Sequence, residues 1–456
     1  MRPQPKLHTD PAEAYGNLLV LALLAPIVGA ASGLIGALFR LALTAADRFR
    51  NAAIAWAHGW NLAGFLCIAA GCATAVAIAA WLVRRFSPYA AGSGIPQVEE
   101  ILNDELAPPP PRLLFVKFLG GFLAIGAGLA LGREGPSVQM GAAIAHVVGK
   151  LFRRNWHDCK VLIAAGAGAG LATAFNAPIA GAVFGLEELM RRFETRTAIA
   201  ALGASAAAIA VARALLGPDP DFDVEPLAYL GVRTWLLFAA LGVVAGLAGT
   251  LYNCALLQTL SAMDWLARWP IELRAAVIGA AVAALGFLTP ALIGGGDDIT
   301  QQILGRGAAL GVLPLVFLLR FGLGAVSYAA PVPGGLFAPL LVLGAQLGLF
   351  CGILCRLALP ESGLDPTAFA VVGMAAFFTA VVQAPVTGIV LVIEMTASFT
   401  MLLPMIAACF AAMLVPNLLR GAPIYDSLRE RLLRLQHSEE ASAATRTGDA
   451  RAENNR

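Results

Sequence analysis

Residues 131–141 read LGREGPSVQMG, and they set an arginine, a glutamate and a proline among glycines inside the long apolar run 112–152. Gly132, Gly135 and Pro136 are poor mid-helix residues, whereas proline is well placed in a first helical turn. The stretch therefore predicts a break followed by a new helix over about 136–150. The flanking runs, 112–131 and 136–150, are too short for two comfortable spans of about 20 residues each. That places the break at membrane depth, where irregular backbone is tolerated only if it is buried in protein or lines a cavity. A helix N-terminus presents free N–H groups and partial positive charge, which attract anions. Glu134 sits at that end. Its carboxylate can occupy an anion site itself, and its protonation would vacate that site.

The rest of the chain supports membrane depth. Of 456 residues, 59% are hydrophobic and 13% charged, against about 25% charged in soluble chains. Mean hydropathy is +0.76, and apolar runs longer than about 18 residues recur throughout, so the sequence predicts a polytopic, all-helical membrane protein. Runs of 30–50 residues must each hold two or more short, tilted or broken helices. The 48 glycines suit close helix contact in lipid. Polar residues gather in an N-terminal tail (1–16), in short loops and in a C-terminal tail (426–456) that is too short for a folded soluble domain. The first apolar run, about 17–45, is longer than the core of a signal peptide. A net charge of +2 gives no sign of nucleic-acid binding. Arg84-Arg85, Lys150–Arg154 and Arg191-Arg192 are expected at cytoplasmic loop ends. Cys351 and Cys355 lie one helical turn apart in an apolar run and read as buried filler rather than metal ligands. The histidines show no zinc spacing, and no metal or cofactor is expected.

An internal repeat organises the chain. FNAPIAGAVFGLE (Phe175–Glu187) and VQAPVTGIVLVIE (Val382–Glu394) share A-P-x-x-G-x5-E at an offset of 207 residues. GREGPSVQMG (Gly132–Gly141) and GLFAPLLVLG (Gly335–Gly344) share G-x3-P-x4-G at an offset of 203. Two ordered matches at nearly one offset predict repeat halves at about 17–216 and 228–425, joined by a linker at 217–227, an arrangement typical of transporters. Apolar runs alone leave parallel and inverted topologies both open.

The repeat also sorts the polar residues. Phe337 takes the position of Glu134, so two helix N-termini would face one shared site with one titratable and one apolar side chain. Glu187 pairs with Glu394, which implies a shared structural role. Glu188 has no counterpart, because Met395 follows Glu394. A carboxylate in lipid costs about 2.5–3.5 kcal/mol on insertion scales, so Glu188 reads as the specialised residue, the alternative being an interfacial charge beside Arg191 and Arg192. GSGIPQVEE (Gly92–Glu100) reads either as an anion nest with the Ser93 hydroxyl or as a polar loop. Lys117 is expected to find a structural partner in Glu99 or Glu100. Asp297-Asp298, in GGGDDIT, reads as a loop.

GSGIP, GREGP, GLFAP and the tyrosine of APIYDSL resemble the four anion-site signatures of the CLC chloride channels and chloride/proton antiporters, over about residues 17–430. The resemblance implies two inverted-topology repeats of short, tilted, partly broken helices, assembled as a homodimer in the cell membrane, with one pore per subunit. It implies that Ser93 and Tyr425 offer hydroxyls to a dehydrated chloride and that backbone amides near Leu336 and Phe337 help hold it. Glu134 would be the external gate and Glu188 the inner proton-transfer group, a residue typical of the antiporters. Nitrate-preferring members tend to carry proline where Ser93 stands, and fluoride exporters depart at that serine and lack the tyrosine, so chloride is favoured. The nucleotide-binding domain pair of many eukaryotic members is not expected, which suggests a prokaryotic member. The leading expectation is chloride/proton antiport; the alternative is a passive chloride channel gated by voltage or pH. A membrane-embedded enzyme would need a nucleophile–base pair or a metal cluster at depth, and the sequence offers neither.

Overall fold

The computed structural model describes residues 11–434 except 109, 229–230 and 232–233, and no side chain of 11–17 or 362. The first half runs through α1 (Pro11–His58), α2 (Asn61–Phe86), α3 (Ile95–Leu102), α4 (Arg112–Gly126), α5 (Glu134–Leu151), α6 (Trp156–Phe175), α7 (Pro178–Phe184) and α8 (Thr195–Leu216). The second half repeats the series with α9 (Trp235–Trp265), α10 (Ile271–Leu288), α11 (Asp297–Arg306), α12 (Leu313–Tyr328), α13 (Phe337–Ala358), α14 (Pro366–Val382), α15 (Pro385–Thr396) and α16 (Leu402–Leu418). A further helical stretch begins at 424 and continues to 434. Eight of these helices are long and apolar enough to cross a membrane. Others, such as α3, α7 and α15, fall short of the roughly 20 residues a span needs.

The amino acids explain the element ends. Asn155 and Asp365 cap α6 and α14, accepting the N–H groups of Asp158 and Thr367 at 2.8 Å each. Both helices end on a left-handed residue, Asn176 at φ 50° and Gln383 at φ 63°. The Ala-Pro pairs that follow start α7 and α15, with Pro178 and Pro385 as first helical residues. In lipid the core cannot be recognised by hydrophobicity alone, since both sides are apolar. It is marked instead by small residues. α6 is buried on nearly every side, and at Gly141 of α5 an added Cβ would collide with the Gly166 carbonyl of α6. Gly344 of α13 faces the Gly373 carbonyl of α14 in the same way. Helices α1, α2 and α9 turn Leu23, Leu62 and Leu247 outward.

The halves interlock through their repeated glutamates. Glu187 accepts the Val386 and Thr387 N–H groups at the start of α15, at 3.1 and 2.6 Å. Glu394 returns the contact, accepting Ile179 and Ala180 N–H at the start of α7, at 3.0 and 2.8 Å. Each carboxylate thus satisfies orphan donors of the other half's helix, the shared structural role that the repeat implied. The fold is all-helical, and the central breaks of the two halves meet in an antiparallel bridge between Gly132 and Gly335.

Candidate functional site

The bridge sets the geometry of the centre. Gly132 N donates to Gly335 O and Gly335 N donates to Gly132 O, both at 2.8 Å. A Cβ at either glycine would fall on the Glu134 carboxylate, so any larger residue there would displace that side chain. Helix α5 opens at Glu134 itself, with Pro136 in its first turn, and α13 opens at Phe337. Glu134 is fully buried. Its Oε1 accepts the Phe337 N–H at 2.7 Å, so the carboxylate of one half sits on the helix N-terminus of the other. Oε2 has no protein partner among the described residues. Leu336, buried, immediately precedes α13.

Two hydroxyls flank this point. Ser93 packs on the first turn of α5: a Cβ on Gly135 would lie 2.7 Å from the Ser93 Oγ. Tyr425 enters from the helical stretch at 424–434, its ring 6.0 Å from that of Phe337. Phe184 and Phe378 pack edge-on against Phe337 at 5.8 and 4.6 Å. Both hydroxyl-bearing side chains are buried. Neither Ser93 Oγ nor Tyr425 Oη meets hydrogen-bond geometry with a described protein group, though the two are close enough to interact. Buried polar atoms almost always have partners, so two buried hydroxyls within reach of each other, beside a carboxylate oxygen, make a set of groups suited to a small ion.

The amide nest expected around Ser93 is largely spent within the protein. Gly92 N donates to Val332 O at 2.9 Å, and Ser93 N to the Tyr328 hydroxyl at 3.4 Å. Lys117 does not pair with Glu99 or Glu100. Its buried Nζ donates to the carbonyls of Ala90 and Gly92 at 3.1 and 2.9 Å, holding the turn that carries Ser93. Neutral carbonyls win over a carboxylate because the turn exposes them inside the core, where they would otherwise go unsatisfied.

Arg133, next to Glu134, is fixed by three parts of the chain. It donates to Ala174 O at 2.8 Å, to Asp221 at 2.8 Å and to Asp297 at 2.9 Å. Asp221 lies in the segment between the halves and also accepts Arg40 of α1 at 2.7 Å. Asp297 opens α11 rather than lying in a loop. The α8–α9 connection is therefore stitched over the same end of the protein as Arg133. Its pull on the chain is tertiary, and nothing in local sequence announced it.

Glu188 lies where α7 widens into a π-helical turn, Gly185–Leu189, with Met190 N donating to Gly185 O at 3.1 Å. Such turns recur at functional sites. The matching α15 continues as regular helix. Glu188 is buried, and its Oε1 has no partner among the described residues. Glu99 of α3, passed over in the sequence except as a partner for Lys117, is also buried with both oxygens unpaired, and it interacts electrostatically with Glu188. Glu99 lines a cavity of about 550 Å³ that also touches Lys160, Arg191 and Arg429. A second cavity, of about 530 Å³, lies at Gly92, Gln97, Tyr328 and Arg431. The expected basic loop ends gather here: Arg154 and Arg196 share Asp158, Arg84 meets Glu272, and Arg191 meets Asp426.

The sequence profile described as Voltage gated chloride channel matches residues 75–417. The chain is 36% identical over 439 residues to the H(+)/Cl(−) exchange transporter ClcA of Klebsiella pneumoniae, covering 93% of this chain and 92% of that protein. It is 38% identical over 439 residues to ClcA of Vibrio cholerae, covering 92% and 90%. Among solved structures it superposes on a slow cyanobacterial Cl−/H+ antiporter with TM-score 0.87 and 32% identity, over 91% of this chain and 99% of the other. A CLC-type fluoride/proton antiporter, at 24% identity and TM-score 0.74, shares the fold, over 89% of this chain and 96% of that one.

Proposed function

This chain belongs to the voltage-gated chloride channel family, and from that premise we propose that it exchanges chloride for protons with Glu134 as the outer gate and Glu188 as the inner proton-transfer group. It is a multi-pass membrane transporter and not an enzyme. The observation that carries the gate assignment is the Glu134 carboxylate seated on the Phe337 amide, buried between two helix N-termini. Those termini favour a negative group there. Ionised, Glu134 holds the place that a chloride would take. Protonated, it loses the charge that binds it to the amide, and a chloride can replace it at Phe337 N–H and at the Ser93 and Tyr425 hydroxyls. Leu336 and Phe337 contribute backbone to this point, while Ser93 and Tyr425 contribute side chains. Exchange follows because proton and chloride alternate at one position.

Protons reach the centre from the basic face. Glu188, buried with an unpaired oxygen and near Glu99, is placed to pass a proton inward from the cavity that Glu99 lines. Anions approach along the other cavity, at Gly92 and Tyr328. The family resemblance further supports a homodimer with one pathway per subunit, which molecular mass in detergent measures directly.

Simultaneous chloride and proton flux from proteoliposomes tests the reading. A chloride gradient should drive protons uphill. Chloride flux without proton movement would replace antiport by a passive channel. In Glu188→Gln, proton flux should fall while chloride flux persists; a normal proton-to-chloride ratio there would remove Glu188 from the pathway.

A further inference from the structure

Tyr328 ends α12 and was not singled out by any motif. The residue is 8% exposed. Its hydroxyl oxygen accepts the Ser93 N–H at 3.4 Å, a long contact, and stands over Gly92, where an added Cβ would lie 3.2 Å away. On its other side Tyr328 lines the cavity of about 530 Å³ at the basic face, together with Gln97, Glu100 and Arg431. The hydroxyl thus stands between that cavity and Ser93. Its oxygen is engaged as an acceptor, but its O–H donates to no described protein group.

We propose that Tyr328 is a third hydroxyl contact for the transported anion, on the inner side of Ser93 and Tyr425, and that it sets anion affinity from the cytoplasmic side. The proposal rests on the anion site read above at Ser93 and Tyr425. A hydroxyl hydrogen bond to an anion is a charge-assisted contact and among the stronger ones available. Rotation of the phenolic O–H toward the anion needs no backbone movement, and the oxygen can go on accepting the Ser93 N–H while it donates. The requirement is for a small, monovalent, weakly basic anion, since a single hydroxyl donor is offered and the cation of this turn, Lys117, is already engaged by the Ala90 and Gly92 carbonyls.

Chloride binding to the detergent-solubilised protein, measured by isothermal titration calorimetry, tests this with Tyr328→Phe, Ser93→Ala and Tyr425→Phe side by side. Tyr328→Phe keeps the ring and should weaken chloride binding about five- to ten-fold, with thermal stability and the proton-to-chloride ratio unchanged. If Ser93→Ala and Tyr425→Phe weaken binding but Tyr328→Phe does not, the role of Tyr328 is overturned and the site stands. If Tyr328→Phe lowers thermal stability with unchanged affinity, Tyr328 only supports the turn, and the proposal fails. Unchanged binding in all three variants overturns the anion site and the proposal with it.

Discussion

The turn before α3 and the turn before α11 are one piece of backbone built twice. Gly92 and Gly94 lie at φ 64° and 89°, and Gly294 and Gly296 at φ 77° and 100°. A buried cation braces each: Lys117 holds the carbonyls of Ala90 and Gly92, and Arg320 those of Leu292, Gly294 and Gly295. Each turn is also tied to the opposite break, Gly92 N to Val332 O and Gly294 N to Gly128 O. Between the glycines, however, one turn carries Ser93 and the other Gly295. The same contrast runs through the centre: Glu134 faces Phe337, and Glu188 on a π turn matches Met395 on a regular helix. Groups that hold backbone are duplicated, while groups suited to ions occur once. Two-fold scaffolding thus carries one-fold chemistry, which is the asymmetry that the proposed function needs.

The sharpest break of this contrast is Glu134→Gln, which removes the charge from the one titratable break. Coupled proton flux in proteoliposomes should fall about 100-fold or more, as expected when an acid–base group is lost, while chloride flux persists or rises. Retained coupling would show that the asymmetry at the breaks is not functional. Next come the braces. Lys117→Met and Arg320→Met each strand two or more buried carbonyls, at roughly 1–3 kcal/mol apiece, so both should lower the melting temperature in detergent by similar amounts. A large loss in only one variant would mean that the two turns are not equivalent.

Smaller effects should follow from the exchanged helix caps. Glu187→Gln and Glu394→Gln each weaken a carboxylate contact to two helix N–H groups, about 1–2 kcal/mol each, and their thermal shifts should match. A proton-coupling defect in Glu187→Gln alone would move Glu187 from the duplicated scaffold to the unique chemistry. Smallest is Asp221→Asn, which loosens the hold on Arg133 and Arg40. Asp297 still holds Arg133 and the amide of Asn can still accept one arginine, so the thermal shift should be smaller than in the cap variants, read from thermal unfolding in detergent.

Legibility followed how local each signal was. The Gly132–Gly141 break, the Ala-Pro repeats and the pairing of Glu187 with Glu394 were readable because backbone chemistry leaves fixed letters: proline at a first turn, glycine where a neighbour's atoms crowd. The third matched pair of breaks, at Gly92–Gly94 and Gly294–Gly296, escaped because its shared feature is conformation, while the residues that follow, Ile-Pro and Asp-Asp, differ. Asp297 accordingly looked like loop, although it starts a helix and holds Arg133. Lys117 was assigned a carboxylate because charge pairing is what sequence suggests, whereas buried carbonyls, invisible in sequence, took it.

Sequence by itself determined that this is a membrane-embedded, all-helical chain of two repeated halves, and that Glu134, Glu188, Ser93 and Tyr425 stand out from the repeat or match a known signature. Hydropathy, helix-breaking residues and repetition are properties of short stretches, so they survive in the linear text. Only the tertiary structure decided which groups share a centre: that Glu134 sits on the Phe337 amide, that Glu99 lies near Glu188, that the Tyr328 hydroxyl touches the Ser93 amide, and that Asp221 fixes Arg133. Those neighbours are brought together by helices crossing through the bilayer, and the separations involved, such as 203 residues between Glu134 and Phe337, leave no local trace.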